Sequence, residues 1–238
     1  MNLNDIFREN GLISRHLGNY ELRAEQIHMA NAVQEAIRLN KHLLVEAGTG
    51  VGKSLAYLVP FIKWSTESDK RAVVSTYTKT LQEQLVNKDL PFLERVLDID
   101  FKFALCVGSQ NYICLRRMNQ GYAYDLFDSE RELAEIQRIN RWLGESETGL
   151  YSDLDFEPAE STWSKICRES DLCLGRGCSF KNRCFYRKAR SKEEQADILV
   201  VNHHLFFANL VSGGKVLPEF ESVVFDEAHT LEMLLPNI

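Results

Sequence analysis

The sequence predicts an α/β fold: a mostly parallel sheet with helices on both faces and an inserted, mainly helical domain. Short apolar runs have the length and composition of buried strands, and stretches of helical periodicity separate them; they cover residues 42–45, 71–76, 101–107, 196–201 and 222–225. Helices between successive strands are typical of parallel sheets. The cysteine-containing stretch between the third and fourth runs breaks this alternation. We therefore expect a first domain at 1–107, an inserted domain at 108–195 and a return to the first domain at 196–238.

The composition is that of an ordinary globular protein. Of its 238 residues, 45% are hydrophobic and 26% are charged. No stretch approaches the ~18 unbroken apolar residues of a membrane span, and the N-terminus lacks the pattern of a signal peptide. We expect a cytoplasmic protein with no membrane partner, whose six cysteines are not paired as disulfides. The net charge of −6 does not by itself indicate a nucleic-acid binder.

A helix is predicted after Tyr20, and its first turn carries the pattern Arg23-x-x-Gln26. An amide can pair with N6 and N7 of adenine at the same time, which suits Gln26 to an adenine contact. The alternative is that Gln26 is a surface polar residue.

The most informative stretch is Glu46-Ala-Gly-Thr-Gly-Val-Gly-Lys-Ser54, between the apolar run 42–45 and a helical pattern. A strand, a glycine-rich turn and Gly-Lys-Ser at the start of a helix form a phosphate-binding loop. Its backbone N–H groups converge on one point, where the helix N-terminus adds partial positive charge. We expect Lys53 to reach the β- and γ-phosphates and Ser54 to ligate Mg²⁺. The predicted ATP-binding residues are Arg23, Gln26, Ala47, Gly48, Thr49, Gly50, Val51, Gly52, Lys53 and Ser54; alanine at 47, where the full pattern has glycine, is a mild departure.

Thr78 follows the second predicted strand, at the edge where ligands of open α/β sheets bind. Its hydroxyl has two interpretations, a contact to a nucleic-acid phosphate or a plain helix N-cap.

The last predicted strand ends in Asp226-Glu227-Ala228-His229. Acids at a strand end downstream of a phosphate loop are typical of the second half of a nucleotide site. Asp226 would hold Mg²⁺ through water, and Glu227 would orient and deprotonate the attacking water. His229 would connect the site to neighbouring motifs.

Cysteines at regular spacing indicate a bound metal or cluster in a reducing compartment. One candidate set is local: Cys167, Cys173, Cys178 and Cys184 around a tetrahedral zinc. The other is Cys114, Cys173, Cys178 and Cys184 around an iron–sulfur cluster. Spacing alone does not choose between them.

Basic and aromatic residues alternate around these cysteines and suit single-stranded nucleic acid, because cations meet phosphates and rings stack on bases. A solvated basic surface beside a metal site is the alternative. The candidate DNA contacts are Thr78, Lys181, Arg183, Phe185 and Tyr186.

Taken together, these motifs resemble the start of the DinG branch of the XPD/Rad3-like superfamily 2 DNA helicases. They occur in the order Arg23-x-x-Gln26, the loop 46–54, Ser75-Thr-x-Thr78, Asn111-Tyr-x-Cys114, Cys173-x₄-Cys178-x₅-Cys184, Val201-Asn-His203 and Asp226-Glu-Ala-His229. The resemblance covers about residues 20–232. It implies a P-loop NTPase (RecA-like) domain, a [4Fe–4S] cluster on Cys114, Cys173, Cys178 and Cys184, and ATP-dependent 5′→3′ unwinding of DNA. It gives Cys167 no role.

Members of this family continue past the acidic motif into a second motor domain that supplies an arginine to the ATP site. We therefore interpret the chain as an N-terminal fragment, which alone should bind nucleotide weakly and hydrolyse it very slowly. The implied partners are ATP, Mg²⁺ and single-stranded or forked DNA, with a single-stranded-DNA-binding protein as a candidate. We expect a monomer associated with the nucleoid. The alternative is a standalone nucleotide- and DNA-binding module with a structural zinc or iron–sulfur site and no motor activity.

Overall fold

The computed structural model describes residues 2–18, 20–48 and 50–233. The chain divides into two compact units, and each has its own apolar core. The first unit comprises residues 1–106 and 195–238, and the second comprises residues 107–194. Among the described residues, no helix is both long enough and apolar enough to cross a membrane.

The first unit is built on a sheet of four parallel strands in the order β2-β3-β1-β4. The strands are β1 (Ala72–Thr76), β2 (Phe103–Leu105), β3 (Ile198–Asn202) and β4 (Ser222–Phe225). Alternate residues point to opposite faces. Val74 and Val200 therefore belong to one buried cluster, whereas Val73 and Leu199 belong to another. An α/β fold with a parallel sheet covered on both faces is confirmed.

The helices of this unit cover the two faces of the sheet. Leu58 and Ile62 on the helix that follows the phosphate loop pack in the first cluster, and Phe206 packs in the second. The helices are α1 (Leu3–Phe7), α2 (Ala24–Leu39), α3 (Lys53–Ser68), α4 (Lys79–Gln84), α5 (Leu90–Val96) and α10 (His203–Val211), and a π-helical turn, Leu85–Asp89, joins α4 to α5.

The prediction of a buried strand at residues 42–45 is wrong for this structure. The segment forms no strand, and Leu43, Leu44 and Val45 are 45%, 91% and 38% exposed. Within the described residues, the sheet ends at β4, which pairs only with β1. A strand is stabilised by pairing with a neighbour, and the segment 42–45 pairs with no strand in the described residues.

The second unit is mainly helical, and its core centres on Trp163, Ile136, Ile139 and Ile166. Trp163 also donates from its indole nitrogen to the carbonyl oxygen of Gln110 at 2.9 Å, which fixes the ring. The helices are α6 (Leu115–Ala123), α7 (Glu130–Leu143), α8 (Glu160–Ile166) and α9 (Phe185–Glu193), with 3₁₀ turns at Ser109–Asn111, Tyr151–Asp153, Gly175–Gly177 and Lys181–Arg183.

Candidate functional site

The phosphate loop leads directly into α3, as the sequence predicts. Gly50 and Gly52 have φ angles of +80° and +82°, a region that glycine enters without steric cost, and Gly52 is the N-cap of α3. Arg23 donates to the carbonyl oxygen of Gly50, and the Gln26 amide donates to that of Gly52 at 2.9 Å. Residues at the start of α2 therefore hold the loop through hydrogen bonds to its backbone carbonyl groups. Thr49 lies outside the described residues.

The structure brings the loop lysine together with the acids at the end of β4. Lys53 Nζ lies 3.3 Å from the carbonyl oxygen of Ala47 and 3.8 Å from Glu227 Oε1. Glu227 Oε2 lies 3.5 Å from His229 Nδ1, and that histidine is exposed. Glu227 has a φ of +56°, a backbone conformation that non-glycine residues adopt at a cost and that is common at functional sites.

Asp226 is held on both carboxylate oxygens. Its Oδ1 accepts from the Glu227 N–H at 3.0 Å, and its Oδ2 accepts from the Tyr57 hydroxyl at 2.9 Å. Its own N–H donates to the carbonyl oxygen of Ser75 at 2.9 Å. Burial and the neighbouring Asp226 carboxylate hold the pKa of Tyr57 well above its usual value, so the phenol keeps its proton and remains a donor.

A second carboxylate, Asp89, lies close to Ser54. It is the last residue of the π-helical turn, it is buried, and it accepts from the Gln84 amide at 3.2 Å. Burial raises the pKa of the Asp89 carboxyl, and hydrogen bonds from Gln84 and Ser54 oppose that rise. Sequence reasoning missed both Tyr57 and Asp89, because neither lies in a recognisable motif.

His203, at the start of α10, is fully buried behind the site. Its Nδ1 lies 2.6 Å from Ser75 Oγ, and burial lowers the pKa of its imidazole. A neutral ring at this position joins the ends of β1 and β3, because Ser75 lies on β1 and His203 directly follows β3.

Two predicted residues have structural partners. Thr78 is the N-cap of α4, since its hydroxyl oxygen accepts from the Leu81 N–H at 3.2 Å. Its helix-cap interpretation is confirmed, and it is exposed. Gln26 is 4% exposed, so the interpretation as a surface polar residue is wrong. Its adenine contact stays a prediction.

A cavity of about 310 Å³ in the second unit is lined by Cys114, Cys173, Cys178 and Cys184. Cys167 does not line it; this thiol is 4% exposed in the apolar core, and burial raises its pKa. Arg168 also lines the cavity, with its guanidinium 3.8 Å above the Tyr186 ring, and its Nε is buried with no hydrogen-bond partner in the described part of the chain. Across residues 2–18, 20–48 and 50–233, no three or more His, Cys, Asp or Glu side chains are grouped as ligands of one metal ion.

The aromatic candidates for stacking on DNA are less accessible than predicted. Phe185 is 8% exposed and belongs to the core of the second unit, so the expectation of an exposed ring is wrong; the turn at Gly149 packs directly against it. Tyr186 is half-buried between Tyr112 and Arg168. Lys181 and Arg183 are exposed.

Comparison with known proteins gives the following likenesses. A profile of the DEAD/DEAH box helicase family matches residues 27–125. The ATP-dependent DNA helicase YoaA of Haemophilus influenzae is 39% identical over 233 residues, which cover 95% of this chain and 36% of that protein. The ATP-dependent helicase DinG of Mycobacterium tuberculosis is 38% identical, over 90% of this chain and 35% of its own. A solved XPD helicase superposes with a TM-score of 0.49 and 18% identity over 91% of this chain and 34% of that one. The chain thus spans about a third of the length of these relatives.

Proposed function

We propose that this chain, which matches the DEAD/DEAH box helicase profile over residues 27–125, binds Mg²⁺–ATP as the nucleotide-binding part of an ATP-dependent DNA helicase. The observation that carries this proposal is the approach of Lys53 Nζ to within 3.8 Å of Glu227 Oε1. A phosphate-binding lysine and a carboxylate that can activate water are thus brought together from distant parts of the sequence.

In this site each side chain has a distinct task. Loop N–H groups and Lys53 bind the phosphates, and Ser54 and Asp226 hold the metal, directly or through water. Bound Mg²⁺ would neutralise charge on the β- and γ-phosphates. Glu227 orients the attacking water and accepts its proton; the water oxygen bonds to the γ-phosphorus while the bond from that phosphorus to the β–γ bridging oxygen breaks, which gives ADP and inorganic phosphate. The cation of Lys53 and the carboxylate of Glu227 pair in the absence of nucleotide, and phosphate competes for that cation.

We propose 5′→3′ unwinding as the activity of the longer protein, with single-stranded or forked DNA as substrate. The family resemblance supports this direction, and the exposed Lys181 and Arg183 of the second unit support a contact to the DNA backbone. Thr78, exposed at the end of β1, is a further candidate for a phosphate contact. We also propose a monomer that acts in the cytoplasm at the nucleoid, with a single-stranded-DNA-binding protein as partner.

We further propose that Cys114, Cys173, Cys178 and Cys184 hold a [4Fe–4S] cluster. The shared cavity supports this set over the zinc set, because Cys114 lines the cavity and Cys167 does not. The unpartnered Nε of Arg168 fits the same proposal, since a donor beside the cavity can meet an anionic group. A bound cluster would link four cysteines of the second unit that do not lie on one helix.

The test of the nucleotide site is Lys53→Ala in this chain, followed by titration with a fluorescent ATP analogue in the presence of Mg²⁺. Loss of the phosphate-binding cation should weaken binding by about tenfold or more, as expected for a charge-assisted contact. Lys70→Ala is the matched control, because Lys70 is an exposed lysine just before β1. It therefore lies at the amino end of that strand, whereas the nucleotide site lies at the carboxyl ends of the strands.

Unchanged affinity in Lys53→Ala would contradict the proposed site. Equal losses in Lys53→Ala and Lys70→Ala would also contradict it, since the effect would then come from net charge rather than from the loop.

A further inference from the structure

Tyr57 is a buried tyrosine of α3, four residues after Lys53, and its ring is 2% exposed. Its hydroxyl donates to Asp226 Oδ2 at 2.9 Å. The phenol therefore joins the helix of the phosphate loop to the acid at the end of β4. A buried hydroxyl aimed at a carboxylate is a directional contact, in addition to the packing of the ring.

The orientation of Asp226 depends on two donors from different elements. The Glu227 N–H holds Oδ1 at 3.0 Å, and Tyr57 holds Oδ2. Each carboxylate oxygen can accept more than one hydrogen bond, so both keep a lone pair for a metal-bound water. Without the hydroxyl, the carboxylate could turn about its terminal torsion, which has broad and shallow minima.

The network around Tyr57 also reaches Ser54, the second candidate metal ligand. Ser54 lies close to both the Tyr57 hydroxyl and the Asp89 carboxylate. The two side chains expected to hold the metal, from α3 and β4, are thus both near one buried hydroxyl.

We propose that Tyr57 is a positioning residue for divalent-metal binding, because its hydroxyl fixes the Asp226 carboxylate in the orientation that receives the metal of a bound nucleotide. This inference rests on the nucleotide site proposed above. It assigns Tyr57 no contact with the nucleotide itself. The hydroxyl should therefore matter for nucleotide binding in Mg²⁺ and should not matter for binding in its absence.

The experiment uses the whole chain and a fluorescent ATP analogue, titrated once in EDTA and once across a range of Mg²⁺ concentrations. Tyr57→Phe removes only the hydroxyl and keeps the ring in the core. We expect the Mg²⁺ concentration for half-maximal binding to rise by about tenfold, the typical cost of losing a hydrogen bond to a charged group. Affinity in EDTA should stay as in the wild type.

Tyr20→Phe is the matched control, since Tyr20 also lies in the first unit and its hydroxyl donates to a backbone carbonyl, that of Phe7. It should leave the Mg²⁺ dependence unchanged. In an Asp226→Asn background, Tyr57→Phe should add no further change in Mg²⁺ dependence, because it acts through that carboxylate.

Three results would overturn the inference. An unchanged Mg²⁺ dependence in Tyr57→Phe would remove the positioning role and leave the proposed function intact. Loss of affinity in EDTA as well would mean that Tyr57 supports the loop or the fold rather than the metal. A wild-type chain whose binding does not respond to Mg²⁺ would overturn the inference and the metal-dependent function together.

Discussion

At the scale of single residues, Gly52 is restricted to glycine both by its backbone conformation and by the neighbouring Gln26 side chain. Its φ of +82° lies in the left-handed region, and a Cβ built on it would lie 2.1 Å from Gln26 Nε2. The left-handed region alone costs other residues roughly 1–2 kcal/mol. The loop therefore needs glycine here for two separate reasons.

We expect Gly52→Ala to lose most nucleotide affinity, because the new methyl group must displace the Gln26 amide from the back of the loop and strain the N-cap of α3. The same fluorescent titration in Mg²⁺ measures the effect. Gly18→Ala is the control, since a Cβ at Gly18 has open space around it and Gly18 does not have a positive φ. Equal affinities of the Gly52 and Gly18 variants would contradict this account of the loop.

The sequence predicted one class of site residue and missed another. Lys53, Asp226 and Glu227 belong to motifs whose chemistry fixes their spacing, and the structure brings them together. Tyr57 and Asp89 acquire their place only through contacts between α3, the π-helical turn and β4. The helical pattern around Tyr57 predicts a core ring, and no local signal reveals what its hydroxyl meets.

At the scale of elements, apolar runs gave the strands at β1 to β4 but failed at residues 42–45. The composition of a run indicates burial, whereas strand formation also requires backbone pairing with a neighbouring strand. β1 has β3 and β4 on its two sides, while the segment 42–45 pairs with no strand in the described part of the chain. Pairing is a property of the whole sheet, so the sequence of one segment cannot predict it.

Helices α7 and α8 of the second unit are connected by an ion pair with a predictable pH response. Lys165 Nζ lies 2.9 Å from Glu132 Oε1, and this hydrogen bond lowers the pKa of the Glu132 carboxyl. A carboxyl with a lowered pKa in the folded state contributes stability above its ordinary pKa of 4.5, and that stability is lost as the pH falls through the lowered value.

We expect Glu132→Gln to lower the melting temperature by a few degrees near neutral pH, and by less as the pH falls below 4.5. Thermal unfolding followed by tryptophan fluorescence at a series of pH values measures this. Glu147→Gln, at an exposed position of the same unit, should leave the curve unchanged. A constant difference between Glu132→Gln and the wild type at all pH values would contradict the electrostatic explanation.

At the scale of the whole molecule, the two units have separate cores, and the proposed nucleotide and cluster sites lie in different units. The order of the apolar runs predicted an insertion, because the interrupted strand pattern resumes after it. The choice of cysteines was open from spacing alone, since only the folded second unit reveals that Cys167 is buried in the core and does not line the cavity.

We expect Cys114→Ser to lower iron content and visible absorbance strongly in anaerobically purified protein, from about four irons per chain. Cys167→Ser should retain both, because its thiol lies outside the cavity. Both variants should keep their affinity for Mg²⁺ and the ATP analogue within about twofold, because the cysteines and the nucleotide site belong to different units with separate cores. A colourless wild-type protein with one zinc, lost in Cys167→Ser, would contradict the proposed ligand set.

The unpaired side of β4 affects how this chain behaves in concentrated solution. Its outer edge presents backbone donors and acceptors without partners among the described residues, and the apolar Leu44 is 91% exposed in the segment 42–48, which has no regular secondary structure. Such edges template strand addition between molecules, and natural sheets usually shield them with charge, bulges or cover. Concentrated solutions of this polypeptide should therefore form β-rich aggregates, and dilute samples or a high density of surface charge should keep it dispersed.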